Sequence, residues 1–238
     1  MRKKLLSLLT VLCLVLGMLP ATAMAIGTAN IDKTDEANVQ VIAEDTELTG
    51  TIEKLVLVDA AVKVDVTDAT LTVGLVVSPD AEGAEVTISG TTAAEVVVLA
   101  NASVKTDAAT TVETVTVDAA EATVEVAGEV ASVVLTENAQ GVSLTVAETA
   151  TVAAVEVAAP NATVAVAGTV ESVTVAETAT GAELAVAETA TVTTVTDATG
   201  ELTVSGAGAE SVTVENTAEP AEGEDEDAKD EETEGSEE

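Results

Sequence analysis

Residues 168–175, GTVESVTV, are one copy of an eight-residue pattern that recurs along this chain of 238 residues. In this copy, valine occupies the third, sixth and eighth positions. The other copies are GTIEKLVL (50–57), TTVETVTV (110–117), GEVASVVL (128–135), ATVTTVTD (190–197) and GAESVTVE (208–215). A repeat of about twenty residues is typical of solenoid proteins, in which successive coils stack on one another.

A shorter V-x-V motif lies between these copies. Its first apolar positions are Val86, Val104, Val124, Leu144, Val164, Leu184 and Leu202. Valine and threonine favour strands, and apolar residues two apart do not form the apolar stripe of a helix. The sequence therefore predicts an all-β, parallel β-solenoid (β-helix) over residues 51–218, with about twenty residues per coil and roughly eight to ten coils.

One residue, three positions before each V-x-V motif, marks a corner of the coil. These corner residues are Gly83, Asn101, Glu121, Gly141, Asn161 and Gly181. Glycine and asparagine tolerate a left-handed backbone, so we expect that conformation at these corners, and Glu121 is the exception. ATVEVAGEV (122–130) and ATVAVAGTV (162–170) also match, which indicates a double repeat of 40 residues with coil lengths alternating near 18 and 22.

Both ends of the chain depart from the repeat. Residues 1–25 combine a basic start, an apolar run and the sequence Ala-Met-Ala, which is the pattern of a signal peptide. A transmembrane anchor is the alternative, but the apolar run is short. We expect residues 26–50 to form an N-terminal cap or lead-in segment, and residues 219–238 to form a disordered acidic tail. The mature protein is then secreted, with no membrane span.

Composition restricts the chemistry. The chain has 43 acidic and 8 basic residues, for a formal net charge of −35, so its surface repels nucleic acid and anionic lipid. It contains no histidine, tryptophan, tyrosine or phenylalanine, and its single cysteine, Cys13, lies in the predicted signal peptide. We therefore expect no nucleic-acid binding, no disulfide and no aromatic platform for sugars.

The repeats carry a family resemblance. GTIEKLVL, GTVESVTV and the interleaved V-x-V pairs resemble the Val/Thr/Gly-rich β-strand repeat regions of secreted surface proteins of Gram-positive bacteria, over about residues 50–215. In that group such regions often accompany S-layer homology modules, and this sequence has neither such a module nor an LPxTG sorting motif. The resemblance implies a location outside the cell or at its surface, and it transfers no catalytic residue.

Carboxylates are the most abundant reactive groups. Glu121 and Glu125 lie near one corner, but no activated nucleophile or acid–base constellation accompanies them. We predict that the protein is not an enzyme, has no catalytic residue and takes no cofactor.

Weak, diffuse binding of divalent cations is a hypothesis that rests on charge density. Its candidate residues are Glu222, Glu224, Asp225, Glu226 and Asp227.

A set of hydroxyl side chains flanks the central valine of the eight-residue pattern. Earlier coils carry Thr114 and Ser132 at these positions, and the candidate outward array comprises Ser172, Thr174, Thr194, Thr196, Ser211 and Thr213. Flat threonine ladders on β-solenoids resemble the ice-binding face of antifreeze proteins. Threonine is also simply common on exposed strands, so both interpretations stay open.

The sequence favours a non-catalytic structural or interaction scaffold of the bacterial cell surface or extracellular space. Its expected partners are cell-surface or extracellular components. The alternative is a solenoid that binds a ligand, either divalent cations or ice. Because a cap and an acidic tail protect open strand edges, we expect a monomer.

Overall fold

The computed structural model describes residues 31–217, and within this range the chain is an all-β parallel solenoid of about nine coils. The predicted fold class is therefore confirmed. The predicted signal peptide (1–25) and acidic tail (219–238) lie outside the described residues.

The strands form two parallel stacks, in which each strand pairs with its counterpart in the next coil. The first stack consists of β2 (Thr46–Ile52), β4 (Lys63–Leu71), β6 (Glu85–Ser89), β8 (Ser103–Thr106), β10 (Thr123–Val126), β12 (Ser143–Val146), β14 (Thr163–Val166), β16 (Glu183–Val186) and β18 (Thr203–Ser205). The second stack consists of β1 (Val39–Ile42), β3 (Leu55–Val58), β5 (Leu75–Val77), β7 (Thr92–Val98), β9 (Thr111–Val117), β11 (Glu129–Leu135), β13 (Thr151–Val157), β15 (Thr169–Val175), β17 (Thr191–Asp197) and β19 (Val214–Asn216). One 3-10 turn, Ala209–Ser211, precedes β19.

Ladders of aliphatic side chains fill the interior. In the first stack Val124, Leu144 and Val164 lie directly above one another and are each at most 2% exposed. Burying one such side chain contributes roughly 1.5–3 kcal/mol, and each coil supplies several, so neighbouring coils stabilise one another. Stacked in-register valines and leucines leave a narrow interior, which suits a sequence with no aromatic residue.

The last coil is offset from the sequence alignment. Leu184 pairs with Val204 rather than with Leu202, and Val195 pairs with Val214 rather than with Val212. Residues 209–211 form the 3-10 turn instead of joining the strand. The strands of the last coil are thus shifted by two residues from the sequence alignment, which was wrong here. Because side chains alternate along a strand, a shift of two residues keeps inward residues inward and outward residues outward.

The first copy of the pattern, residues 50–57, is offset by one residue. Aligned by sequence, Leu55 and Leu57 correspond to inward valines of later coils. In the structure Val56 and Val58 pair with the inward Leu75 and Val77, so Leu55 and Leu57 point outward. Because side chains alternate along a strand, a shift of one residue exchanges its two faces.

The left-handed corners are confirmed at glycine and at Asn161, with φ of 82° at Gly83 and 53° at Asn161. The expectation was wrong at Asn101, which is not among the residues with positive φ. Glu121, the exception in sequence, does adopt φ 58°, and its N–H donates to the carbonyl of Gln140 in the next coil. That inter-coil hydrogen bond holds a backbone conformation which glutamate itself disfavours.

We therefore expect Glu121→Gly to raise the free energy of unfolding by about 0.5 kcal/mol, because glycine relieves the left-handed strain. The matched control is Asn101→Gly, which occupies the equivalent corner without positive φ and should lower stability by about 0.5 kcal/mol. Urea denaturation followed by circular dichroism measures both. Equal changes of the same sign would contradict this account of the corner.

Two kinds of corner alternate between the first and second stacks. The corner is four residues long at 107–110, 147–150 and 187–190, and two residues long at 90–91, 127–128 and 167–168. The loops that lead from the second stack back to the first differ in length in the same alternating way, with five residues at 118–122 and seven at 136–142. These alternating corners explain the predicted 40-residue double repeat.

The two-residue corners lie directly against the four-residue ones. A Cβ atom added to Gly168 would lie 2.3 Å from the carbonyl oxygen of Ala147 and 2.5 Å from that of Ala150. At Gly128 the nearest atom would be the carbonyl oxygen of Thr110, at 2.0 Å. Glycine is thus required by close packing of two backbones rather than by a positive φ.

At both ends of the described solenoid, polar residues share the inward positions with aliphatic ones such as Ile42 and Val214. In the first coil Gln40 and Thr46 pair with the inward Val56 and Val64. In the last coils Asp197 takes the position of Val175, and Asn216 follows it. The segment predicted as a cap at 26–50 contains β1 and most of β2, so paired strands begin at Val39.

Candidate functional site

Outward side chains stack in columns, since the strands are parallel and in register, with about 4.8 Å between neighbours. A column is therefore the natural unit of any binding surface on this rod. The hydroxyl array predicted from sequence can be compared directly with these columns.

The predicted array is only partly assembled. Thr174 and Thr196 are neighbours in one outward column, but Glu156 precedes them and Glu215 follows. Thr213 is outside β19 and Ser211 belongs to the 3-10 turn. The array is thus interrupted on both sides, and its last two members do not extend it.

The other hydroxyls of the array lie at a corner of the second stack and bond to the backbone. Ser172 Oγ donates to the carbonyl of Ala153 at 3.1 Å, and Thr194 Oγ1 donates to that of Glu171 at 3.0 Å. Both bonds cross to the preceding coil, so these side chains stabilise the stack. In earlier coils Thr114 and Ser132, which the sequence alignment sets outward, are buried at this corner.

A longer threonine column lies elsewhere. Its members pair in unbroken register through eight coils, and all but Thr169, which is half-buried, are exposed. We call it the threonine column; it comprises Thr51, Thr70, Thr92, Thr111, Glu129, Thr151, Thr169 and Thr191. It extends about 34 Å along the rod, interrupted by one glutamate. A sequence signal existed, since threonine directly precedes the first apolar residue of most copies of the pattern.

Carboxylates are kept apart in the strand register. Among the paired strand positions of residues 31–217, Glu47 beside Asp65 is the single case of two adjacent carboxylates. Two charges one coil apart repel by roughly 0.9 kcal/mol in water, so the spacing avoids a repeated cost. Carboxylates in the described strands therefore do not stack in continuous columns.

The acidic residues singled out in the sequence are not brought together. Glu125 Oε2 lies 3.3 Å from Lys105 Nζ in the coil before, and Glu121 forms the left-handed corner. Within residues 31–217 no group of three or more acidic, cysteine or histidine side chains is arranged to hold a metal ion. The candidates Glu222, Glu224, Asp225, Glu226 and Asp227 lie outside the described residues.

One buried carboxyl lies in the corner column that also contains Thr114 and Ser132. Glu95 is 7% exposed and pairs in register with Thr114. Its Oε1 atom and Ser132 Oγ are buried without a protein hydrogen-bond partner. Burial raises the pKa of Glu95, because desolvation disfavours the charged form. Its ionisation therefore costs stability as pH rises through that pKa.

Asp197 is the opposite case. It is 3% exposed at the polar end of the interior, and its carboxylate accepts hydrogen bonds from Thr199 N (2.9 Å), Thr199 Oγ1 (2.7 Å) and Leu202 N (3.1 Å). Burial alone would raise the pKa of Asp197, but the hydrogen bonds from Thr199 and Leu202 outweigh it and lower the pKa. The charged carboxylate of Asp197 thus stabilises the turn over residues 197–202 at this end of the solenoid.

We expect Asp197→Asn to lower the free energy of unfolding at neutral pH by about 1.5–3 kcal/mol, since charged acceptors make the stronger bonds. The folded pKa lies below the unfolded one, so this stability is complete above the unfolded pKa and disappears as pH falls through the folded pKa. Thermal unfolding at several pH values should show the difference from wild type shrinking in acid. Glu201→Gln is the control, because it removes the same charge from an exposed side chain nearby. A deficit that persists unchanged in acid would contradict the charged-acceptor role.

Fold and columns together define an acidic, parallel β-solenoid with in-register outward ladders. No helix among residues 31–217 has the length and apolar character needed to cross a membrane. No family model, curated protein or solved structure matches the chain.

Proposed function

We propose that this protein is a secreted, non-catalytic scaffold, a rigid acidic rod that spaces or presents components of the bacterial surface or extracellular space. The observation that carries the proposal is the aliphatic interior that stacks through about nine coils, with Gln40 and Thr46 among the inward residues of the first coil and Asp197 and Asn216 among those of the last coils. Polar residues at inward positions of the terminal coils favour a rod of fixed length over open-ended stacking.

Secretion is supported by the leader pattern of residues 1–25, and retention at the surface by the resemblance of the repeats. Fractionating the native host into medium, wall and membrane tests the location. Recovery from the medium or the wall supports the proposal, whereas recovery from the cytoplasm with residues 1–25 still attached would overturn it.

The spacer role has a separate test, because a rigid rod keeps its ends at a fixed distance. Val41→Cys and Glu210→Cys carry spin labels near the two ends, and the single natural cysteine, Cys13, lies in the predicted leader. Nine steps between coils predict a separation of roughly 43 Å with a narrow distribution at low and high salt. A broad or salt-dependent distribution would contradict a rigid spacer.

Ice binding is the second candidate, and the threonine column favours it. Seven threonines occupy the column at a spacing of about 4.8 Å, except where Glu129 separates Thr111 from Thr151, so most of their hydroxyl and methyl groups recur in every coil. Thermal hysteresis of the purified protein measures the activity directly. Glu129→Thr should increase it by completing the column, and Thr151→Lys should abolish it. Thr174→Lys, outside the column, is the matched control. Absence of hysteresis in both wild type and Glu129→Thr would exclude this function.

A further inference from the structure

An outward column of the second stack is aliphatic in four consecutive coils, beginning with the exposed Val41, and polar in most of the later ones. Leu57, Val76 and Val97 are paired neighbours in this column and are each at most 1% exposed. The next member, Thr116, is half-buried. Outward side chains on a solenoid become fully buried only when another segment covers them.

The covering segment is residues 31–38, which we call the strap. Ile31 packs against the outward cluster of Leu55, Leu57, Val76 and Val97, together with Val39 and Leu99. The strap thus lies outside the coil and covers a face that the one-residue offset at Leu55 turned outward. This apolar cluster is separate from the main interior of the solenoid.

Charge fixes the strap in position. Lys33 Nζ lies 2.6 Å from Asp59 Oδ1 and 2.8 Å from Asp80 Oδ2, which follow β3 and β5. Ser78 Oγ also donates to Asp59 Oδ1, at 2.7 Å. The face therefore presents an aliphatic column beside two carboxylates. The strap is complementary to it, because Ile31 contacts the aliphatic column and Lys33 contacts the carboxylates.

The strap is held by few contacts. It contributes one backbone hydrogen bond to the neighbouring strand, from Leu55 N to the carbonyl of Asn38 at 2.9 Å, and Lys54 Nζ donates to the carbonyl of Glu36 at 2.5 Å. The strap belongs to no strand pair, so it can leave without unfolding a coil, at the cost of exposing the apolar cluster that Ile31 covers. The strands beneath keep their partners in both directions when it does.

We propose that the face formed by Leu57, Val76 and Val97, with Asp59 and Asp80 beside it, is a docking site that the chain's own strap closes and that the strap of a second copy fits. The second copy is the favoured occupant because its strap has the same aliphatic and cationic groups at the same spacing. Exchange of identical segments is a low-cost route to dimers. In dilute solution the attached strap outcompetes a free one, so the protein stays monomeric.

Two full-length variants separate the parts of the site. The strap variant carries Ile31→Asp and Lys33→Glu, which opens its face. The face variant carries Asp59→Lys and Asp80→Lys, which repel its own Lys33 and free its strap. Each alone should remain monomeric by light scattering, whereas an equimolar mixture at about 1 mM should form a 1:1 complex. A variant with all four changes, mixed with the strap variant, is the control and should form none.

Methyl groups of Leu57, Val76 and Val97 report on the cover itself. In the strap variant, their relaxation by a soluble paramagnetic agent should rise several-fold over wild type, and it should fall again in the mixture. Unchanged shielding in the strap variant would overturn the strap as the cover. Exposed methyl groups without a complex in the mixture would overturn the docking site. If the double strap variant fails to fold, Lys33→Gln provides the same two readouts.

Discussion

Deleting forty residues, 123–162, should leave a folded rod, whereas deleting only twenty, 123–142, should leave a less stable one. The longer deletion removes two whole coils and joins Ala122 to Thr163, so a four-residue corner is still followed by a two-residue corner. The rod should shorten by about 10 Å and unfold cooperatively.

The shorter deletion stacks the four-residue corner 107–110 directly on the corner 147–150. It removes Gly128, whose missing side chain makes room for the carbonyls of Asp107 and Thr110. Because the four-residue corner 147–150 does not leave the space that Gly128 leaves for corner 107–110, the shorter deletion should be less stable than the longer one by about 3 kcal/mol.

Urea denaturation followed by circular dichroism measures both deletions, and small-angle scattering measures the length of the rod. If coils were interchangeable, stability would fall in proportion to the residues removed, and the forty-residue deletion would be the less stable. That ordering would contradict the alternation of corners as a packing requirement.

Gly168→Ala should lower the free energy of unfolding by about 3 kcal/mol or more, because overpacking is costly where neither partner can move. The added Cβ would lie 2.3 Å and 2.5 Å from two backbone carbonyl oxygens of the neighbouring corner. Both oxygens belong to a corner held by its own hydrogen bond, from Ala150 N to the carbonyl of Ala147 at 2.9 Å.

Gly83→Ala is the control, since it tests the left-handed backbone without the close contact. Gly83 has φ +82° and nothing within 4 Å of an added Cβ, so it should lose only about 1–2 kcal/mol. Urea denaturation of both variants gives the comparison. Equal losses would mean that backbone conformation, not contact between coils, decides the role of Gly168.

Sequence reasoning recovered the solenoid because a strict repeat of valines leaves few other ways to bury them. It could not predict whether Leu55 and Leu57 point inward or outward. All four residues of 55–58 are apolar, so the sequence shows no alternation of apolar and polar residues that would tell the two faces of the strand apart. The offset becomes defined only when Val56 and Val58 pair with Leu75 and Val77. The strap was missed for a related reason, because its contacts join residues distant in sequence.

The surface was less predictable than the interior. In sequence, the array around Thr174 is defined by proximity to the central valine, yet neighbours across coils decide which hydroxyls form a column. Glu215 rather than Thr213 follows Thr196, a consequence of the 3-10 turn at Ala209–Ser211. Glu121 could not be predicted from its residue type either. Its N–H donates to the carbonyl of Gln140 in the next coil, and this bond holds a left-handed backbone that glutamate disfavours.

The order of coils along the chain has a mechanical consequence. Successive coils follow the sequence, so the first strand, Val39–Ile42, and the last, Val214–Asn216, lie at opposite ends of the rod, and a pull on them acts across the strands. Such a load opens one coil at a time from an end, instead of breaking all strand pairs together. Each coil that opens replaces a rise of about 4.8 Å with roughly 68 Å of extended chain. A rod tethered at both ends would therefore yield in steps under tension and lengthen more than tenfold before the chain is taut.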